Sequence, residues 1–539
     1  MTPMQAAVPK SITAQTPLPY RSPCSPSLFA YAPEMLLAFS VALAAQSWGD
    51  ADLWGHLRFG QQTISHLGLI RHDPYSYSAP GHLWLNHEWL TEVIMALFYN
   101  QLGVIGLKLW KLGCAATVVC LLAAGLGQTQ APPRIQLCVL ALCALSTAPA
   151  MAFRPQLFTF ALFAGLLALL AEHRFRGRAH LWLAVPLMAL WANLHGGFIV
   201  GVAALLIYAA VLIVEAVITA SPLAQPTRLA TTVLAAIGAT FLTPYGWDSW
   251  TAVIHAIGNP LTRTMIEDWK SPLMLLTMRP EAFGTSAYIM FGISCLTLVV
   301  IVGGVAVCAG LTPEPQDLPQ LAIAAAMSGA AFVSMRNMPL AGIACAVPLA
   351  HHSSLLGSKI KWKRAAPQRP VFSTPPLRLL IAALALALAA MEVLQPIDIS
   401  ASPPYPSGAV AFMKAHRLTG NLLCGYNWGE YLIWHVGPSS KVFIDGRYDT
   451  VYPAAVILDA IAFGSGDSRA AASVLQRYPH DYVLTWPGSR PDAFMEHARG
   501  WKLIYRDRDA ELFARATSAA AKLPGLPVVG IEPAHRNFP

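Results

Sequence analysis

The chain has 539 residues and a formal net charge of +8, with 55% hydrophobic and only 12% charged residues. Soluble domains carry about a quarter charged residues, so this composition excludes an ordinary soluble protein. The apolar runs are continuous instead of alternating, which excludes a β-barrel and leaves a polytopic α-helical membrane protein.

The net positive charge does not call for nucleic acid, because Lys and Arg gather in short loops between apolar runs, as topology requires. Residues 1–27 are polar and proline-rich and read as a disordered cytoplasmic tail. The transmembrane core is expected over 28–395. Its spans are expected at 28–47, 103–127, 135–152, 155–172, 179–194, 197–218, 228–244, 285–310, 319–335, 338–352 and 377–395, about eleven in all. Residues 88–100 are amphipathic and are expected along the membrane interface.

The loops between these spans alternate in character. One set carries Lys10, Arg21, Arg134, the run HRFRGR at 173–178, Arg228 and the run KIKWKR at 359–364, and is the cytoplasmic set. The other holds the unusual polar residues. It comprises a large first loop (48–87) that opens with WGDADLWGH and ends in WLNHEWL (84–90), then FRPQ (153–156) and WANLHGG (191–197). It continues through LTPYGWD (242–248), IEDWKSP (266–272) and MRNMP (335–339). An odd number of spans places residues 396–539 on this same side, the periplasm of a protein in the inner membrane. That last region reads as a soluble α/β domain. NLLC (421–424), KVFIDG (441–446) and DYVLTW (481–486) look like buried strands, 451–463 and 468–478 have helical spacing, and 501–507 with 510–515 form a closing hairpin.

Acids and imidazoles at a membrane boundary are costly unless they are used or paired. Asp50 and Asp52, one residue apart, can share a divalent cation, Mg2+ or Mn2+, or one can act as base while the other orients it. His56, His87 and Glu88 follow, with Glu88 also placed to favour a helix N-terminus. Arg154 and Arg336 stand at outer span ends, where an arginine either pairs with an acid or binds an anion, and Asn337 adjoins the second. Asn193 and His195 close one span ahead of Gly196-Gly197, while Glu267, Asp268 and Lys270 lie in a long outer loop. Asp445, Arg447 and Asp449 follow a buried strand, where α/β sheets place ligands or close a structural turn.

The D-x-D-x-W-x-H-L pattern at Asp50, Asp52, Trp54, His56 and Leu57, followed by N-H-E-W-L at Asn86 to Leu90, resembles the GT-C superfamily of integral-membrane glycosyltransferases. The resemblance implies a polyprenyl-phosphate sugar as donor, held in the lipid bilayer, and a glycan, lipid or protein as acceptor. It also implies transfer with inversion by an acid of the first outer loop, Asp50 or Asp52, with His56 and Glu88 beside it. Arg154, Arg336 or Lys270 would then meet the donor phosphate. The element Tyr426-Asn427-Trp428-Gly429 only faintly matches the W-W-D-Y-G of oligosaccharyltransferases, because the acid is missing from its place. A lipid-linked polysaccharide ligase or polymerase and a non-catalytic envelope assembly or transport protein are the competing readings. Topology is directly testable. A reporter fused after Arg178 is expected to report cytoplasm and one after Pro404 the outside, whereas a cytoplasmic signal after Pro404 would separate the C-terminal region from the outer loops.

Overall fold

The computed structural model describes residues 31–178, 180–220, 224–261, 266–276, 285–360, 375–399, 404–523 and 537–538. The expected tail at 1–27 and residues 361–364 of the basic run lie outside the described residues.

Each expected span coincides with a helix. The first three of the chain are α1 (Ala32–Ala45), α2 (Leu53–Ser65) in the first outer loop, and α3 (Trp89–Leu126). They are followed by α4 (Pro133–Thr147), α5 (Gln156–Arg176), α6 (Ala184–Leu194), α7 (Phe198–Ile218), α8 (Ala224–Ala239) and α9 (Trp247–Gly258). After the short α10 (Pro272–Leu276) come α11 (Thr285–Leu311), α12 (Leu318–Val333), α13 (Met338–Lys359) and α14 (Pro375–Leu394). Among the described residues, six helical stretches are long and apolar enough to cross a membrane: Trp89–Leu126, Pro133–Ala150, Gln156–Arg176, Phe198–Ile218, Tyr288–Leu311 and Met335–Lys359. The amphipathic segment at 88–100 is parted from the span that follows it by a kink, where the backbone leaves helical geometry. Gly103, at φ 59°, bends the joined helix there, a conformation a side chain would resist.

α13 is the central helix, buried along its whole length from Met338 to His352. Two lysines buried within α3 fasten the bundle at its outer end. Lys108 Nζ donates to Ser47 Oγ at 2.7 Å and to the carbonyls of Glu392 and Gln395, and Lys111 Nζ donates to Gln46 O at 2.6 Å. The ammonium groups thereby satisfy carbonyls left open where α1 and α14 end. This fixes the chain just before Asp50.

Beyond α14, β1 (Ile397–Asp398) adjoins the first loop, with Gly49 N donating to Asp398 O at 2.9 Å. Then follow α15 (Ser407–Ala415), β2 (Asn421–Leu423), α16 (Gly429–Val436), β3 (Lys441–Val442), α17 (Ala454–Ser465), α18 (Ser468–Arg477), β4 (Tyr482–Thr485), α19 (Arg490–Met495), β5 (Trp501–Arg506), β6 (Glu511–Arg515) and β7 (Asn537–Phe538). Five strands form a mixed sheet ordered β3-β2-β4-β6-β5, with β3, β2 and β4 parallel and β6 antiparallel to both neighbours. β7 pairs with β1. The first outer loop extends the sheet: Val442 N donates to Tyr75 O at 3.0 Å and Tyr77 N to Val442 O at 3.2 Å. A loop thus becomes an additional edge partner of β3.

A buried ion cluster clamps this junction. Arg447 donates through Nη1 to Asp73 of the first loop at 2.7 Å and through Nη2 to Asp445 at 2.6 Å. Its guanidinium also lies 4.8 Å from the Tyr75 ring centroid and 4.9 Å from that of Trp84. Removing one member of a buried ion pair costs about 3–5 kcal/mol, because it strands the partner charge. Arg447→Ala is therefore expected to lower the melting temperature in detergent strongly. Arg477→Ala, which breaks an exposed pair with Asp459, is expected to leave it unchanged. Equal melting of the two variants would contradict the clamp.

Candidate functional site

The first outer loop turns through the Asp50 side chain, whose Oδ1 accepts from Asp52 N at 3.1 Å. Asp52 is the N-cap position of α2, so Asp52 and His56 share one helix face. The opposite face is anchored by Trp54, which is buried among Tyr405, Tyr431, Trp434, His435 and Phe538 at centroid distances of 4.5–6.1 Å. Packing of one indole thereby aims the acid and the imidazole inward.

They face a polar chamber of about 130 Å³ that also receives His87, Glu88, Glu92, Arg154, His195, Arg336, Glu430 and Arg447. Arg154 sits among three acids: Asp50 at 2.5 Å, Asp52 at 3.5 Å, and Asp268. Burial and the neighbouring Asp50 push the Asp52 carboxyl up to about 7, against the opposing pull of Arg154 and His56. Burial on its own would lower the His56 imidazole. The Glu92 hydrogen bond at 3.1 Å and the charges of Glu88, Glu92 and Asp52 outweigh it and raise His56 to about 9.

Glu88 is ringed by His195 Nε2 at 3.3 Å, His87 Nε2 at 3.8 Å and His56 Nδ1 at 4.0 Å. Burial opposes its ionisation, but these imidazoles and Arg336 hold its carboxyl below the usual range. Gly197 N donates to His195 Nδ1 at 2.8 Å, so the neutral ring carries its proton on Nε2, the nitrogen that faces Glu88. Burial lowers His195 to about 3 and keeps it neutral.

Beside the chamber lies an apolar groove of about 500 Å³ between α7, α9 and α12, walled by Val200, Ala203, Val253, Ala256, Met327 and Ala330. His87, Glu88, Gln156, His195, Arg336 and Thr450 border both spaces. Arg336 lies 4.3 Å over the Trp269 ring, and no carboxylate among the described residues is within ion-pair distance of it. A guanidinium at the border of an apolar groove, with no ion-pair partner among the described residues, has donors free to meet an anion.

No protein-family model matches the sequence, and no curated protein matches it. Solved structures do. The apo oligosaccharyltransferase of Archaeoglobus fulgidus superposes with a TM-score of 0.53 at 13% identity, over 94% of this chain and 76% of the other. The oligosaccharyltransferase AglB of that organism, in complex with an inhibitory peptide and a dolichol-phosphate, gives 0.53 at 12% identity, over 93% and 75%. The chain has a GT-C-type fold. The arabinofuranosyltransferase AftD from Mycobacteria is similar over 90% of this chain and 39% of its own, with a TM-score of 0.49 at 14% identity.

Within the GT-C-type fold, the residues singled out in the sequence part company. Asp52, His56, His87, Glu88, Arg154, His195, Arg336 and Arg447 line the chamber, and Asn337 lines the groove. Asp50 stands behind Arg154, and Asp445 stands behind Arg447. Asn193 is turned to the carbonyls of Ala189 and Leu242, and Glu267 and Lys270 line neither space. A divalent cation shared by Asp50 and Asp52, the alternative to a base there, would have to displace the Arg154 guanidinium, which pairs with both carboxylates. His56 Nδ1, Glu88 and Glu92 do bring ligand atoms within 4.8 Å of one another, but they are already joined by hydrogen bond and charge.

Two acids escaped the sequence reading. Glu92 is one helical turn beyond Glu88, and that i,i+4 spacing was the available signal. Glu430 comes from α16, one residue past the element in which the acid was found missing. Its Oε2 accepts from Gly55 N at 3.2 Å. A side chain at Gly55 or Gly446 would push this carboxylate aside, so glycine at both positions leaves it room. Burial and the facing Asp52 and Asp445 push Glu430 well above the usual carboxylate range. The two histidines give a direct check by nitrogen NMR of imidazole-labelled protein. His56 is expected to stay protonated up to about pH 9, and His195 to stay neutral with its proton on Nε2 from pH 5 to 9. A neutral His56 at pH 7 would contradict the charge balance derived for the chamber.

Proposed function

We propose that the chain is a membrane glycosyltransferase that moves a sugar from a polyprenyl-phosphate donor to an acceptor on the periplasmic side of the inner membrane. The observation that carries this reading is the position of Arg336, between an acid-lined chamber and an apolar groove set among helices. A polyprenyl phosphate has the same division, with an apolar tail and an anionic head. The Archaeoglobus oligosaccharyltransferase AglB, which shares the fold, was solved with a dolichol-phosphate, and this supports a ligand of that kind.

In the reaction the tail lies in the groove and the phosphate meets Arg336. Asp52 accepts the proton of an acceptor hydroxyl as that oxygen bonds to the anomeric carbon. The bond from this carbon to the phosphate oxygen breaks, polyprenyl phosphate departs, and Arg336 stabilises the charge that develops on it. Attack from the side opposite the phosphate inverts the anomeric centre. An acid raised to about 7 suits the base role, because a substantial share of it is ionised near neutral pH and that share is still basic enough to take a proton. Glu88 is fully ionised but enclosed by histidines, and it serves to orient them. No step requires a divalent cation on Asp50 and Asp52.

Asp52→Asn is expected to lower the transfer rate by about 10²–10⁴-fold with little change in melting. The raised carboxyl makes the wild-type rate fall as pH drops through about 7, because the base is lost on protonation. An Arg–phosphate contact contributes about 1.5–3 kcal/mol. Arg336→Ala is therefore expected to weaken polyprenyl-phosphate binding by roughly 10–100-fold, and Arg336→Lys, which keeps the charge without the fork, by less. Full transfer by Asp52→Asn, or unchanged binding by Arg336→Ala, would remove the corresponding role.

A further inference from the structure

We propose that Arg154 is a built-in cation, holding the place that a divalent metal would take on the Asp50-x-Asp52 pair. Its carboxylate partners come from two separate parts of the chain. Asp50 and Asp52 belong to the first outer loop, and Asp268 belongs to the turn before α10. All three converge on a single guanidinium set just ahead of α5, next to Pro155. Three carboxylates gathered on one point is a donor set of the kind that hard divalent cations use. Here a side chain meets it instead.

The two solutions exclude one another sterically. A guanidinium spans a planar fork with hydrogen bonds near 2.8 Å, whereas Mg2+ or Mn2+ needs oxygens at about 2.0–2.2 Å in the same volume. They also differ chemically. The guanidinium stays charged at every working pH and cannot be removed by a chelator. Asp50 and Asp268 then serve as positioning residues that hold Arg154 against Asp52, so the acid facing the chamber is oriented by covalently attached charge. The idea rests on the ion cluster alone, and the test below needs no turnover. Its failure is therefore distinguishable from failure of the transferase reading.

The test is Mn2+ binding to the full-length protein in detergent, read by the electron paramagnetic resonance signal of free Mn2+. Wild-type uptake is expected to be unchanged by Asp50→Asn. Arg154→Ala is expected to take up one Mn2+ per chain more than wild type, because the three carboxylates then face a vacated volume. Adding Asp268→Asn is expected to abolish the gain, and Arg154→Lys, which leaves a cation in place, is expected to show none. A wild-type Mn2+ that Asp50→Asn removes would overturn the proposal, as would a folded Arg154→Ala protein that gains no Mn2+. If Arg154→Ala does not fold, the comparison of wild type with Asp50→Asn decides by itself.

Discussion

The buried cluster of Asp73, Asp445 and Arg447 is the contact on which the rest of the architecture depends. It joins the first outer loop to the strand end of the C-terminal sheet, with no exposed charge left on either partner. Aromatic rings from the loop enclose the guanidinium, and the neighbouring backbone continues the sheet into the loop. Because both sides are held in this way, Glu430 and Arg447 from one half of the chain can share a chamber with Asp52 and His56 from the other. The helical core supplies the remaining walls, and Lys108 and Lys111 fix where the loop starts.

Charge placement in the chamber follows a simple division. Arg154 is enclosed by acids and Glu88 by imidazoles, so both have satisfied surroundings. Arg336 lies over the face of Trp269, has no ion pair among the described residues, and opens on the groove. Asp52 lies between these groups, with a carboxyl raised by burial and by Asp50 to where it can both hold and release a proton. In the proposed reaction, the acceptor hydroxyl meets Asp52 and the donor anion meets Arg336.

The helical core was legible because continuous apolar runs have few alternatives, and all the expected spans fall on helices. The bend at Gly103 was not, since a glycine in an apolar run serves kinks, close packing and nothing at all equally well. Polar residues at the outer span ends were legible because such positions are costly to leave idle. Their partners were not. Arg154 meets Asp268 across 114 residues and Gly55 meets Glu430 across 375, separations that no local pattern encodes. The strands were found from their apolar character, but the pairing of the first loop with β3 depends on backbone groups, which carry no sequence signal.

In the proposed reaction, the groove between α7, α9 and α12 holds a polyprenyl chain whose phosphate lies at Arg336. Photocrosslinking with a diazirine-bearing undecaprenyl phosphate, followed by peptide mass spectrometry, measures this most directly. Adducts are expected to concentrate on groove residues such as Val200, Ala203, Ala256 and Met327, to be suppressed by unlabelled undecaprenyl phosphate and to weaken in Arg336→Ala. Adducts confined to outward-facing residues such as Leu296, Val299 and Leu386, and insensitive to competitor, would contradict it.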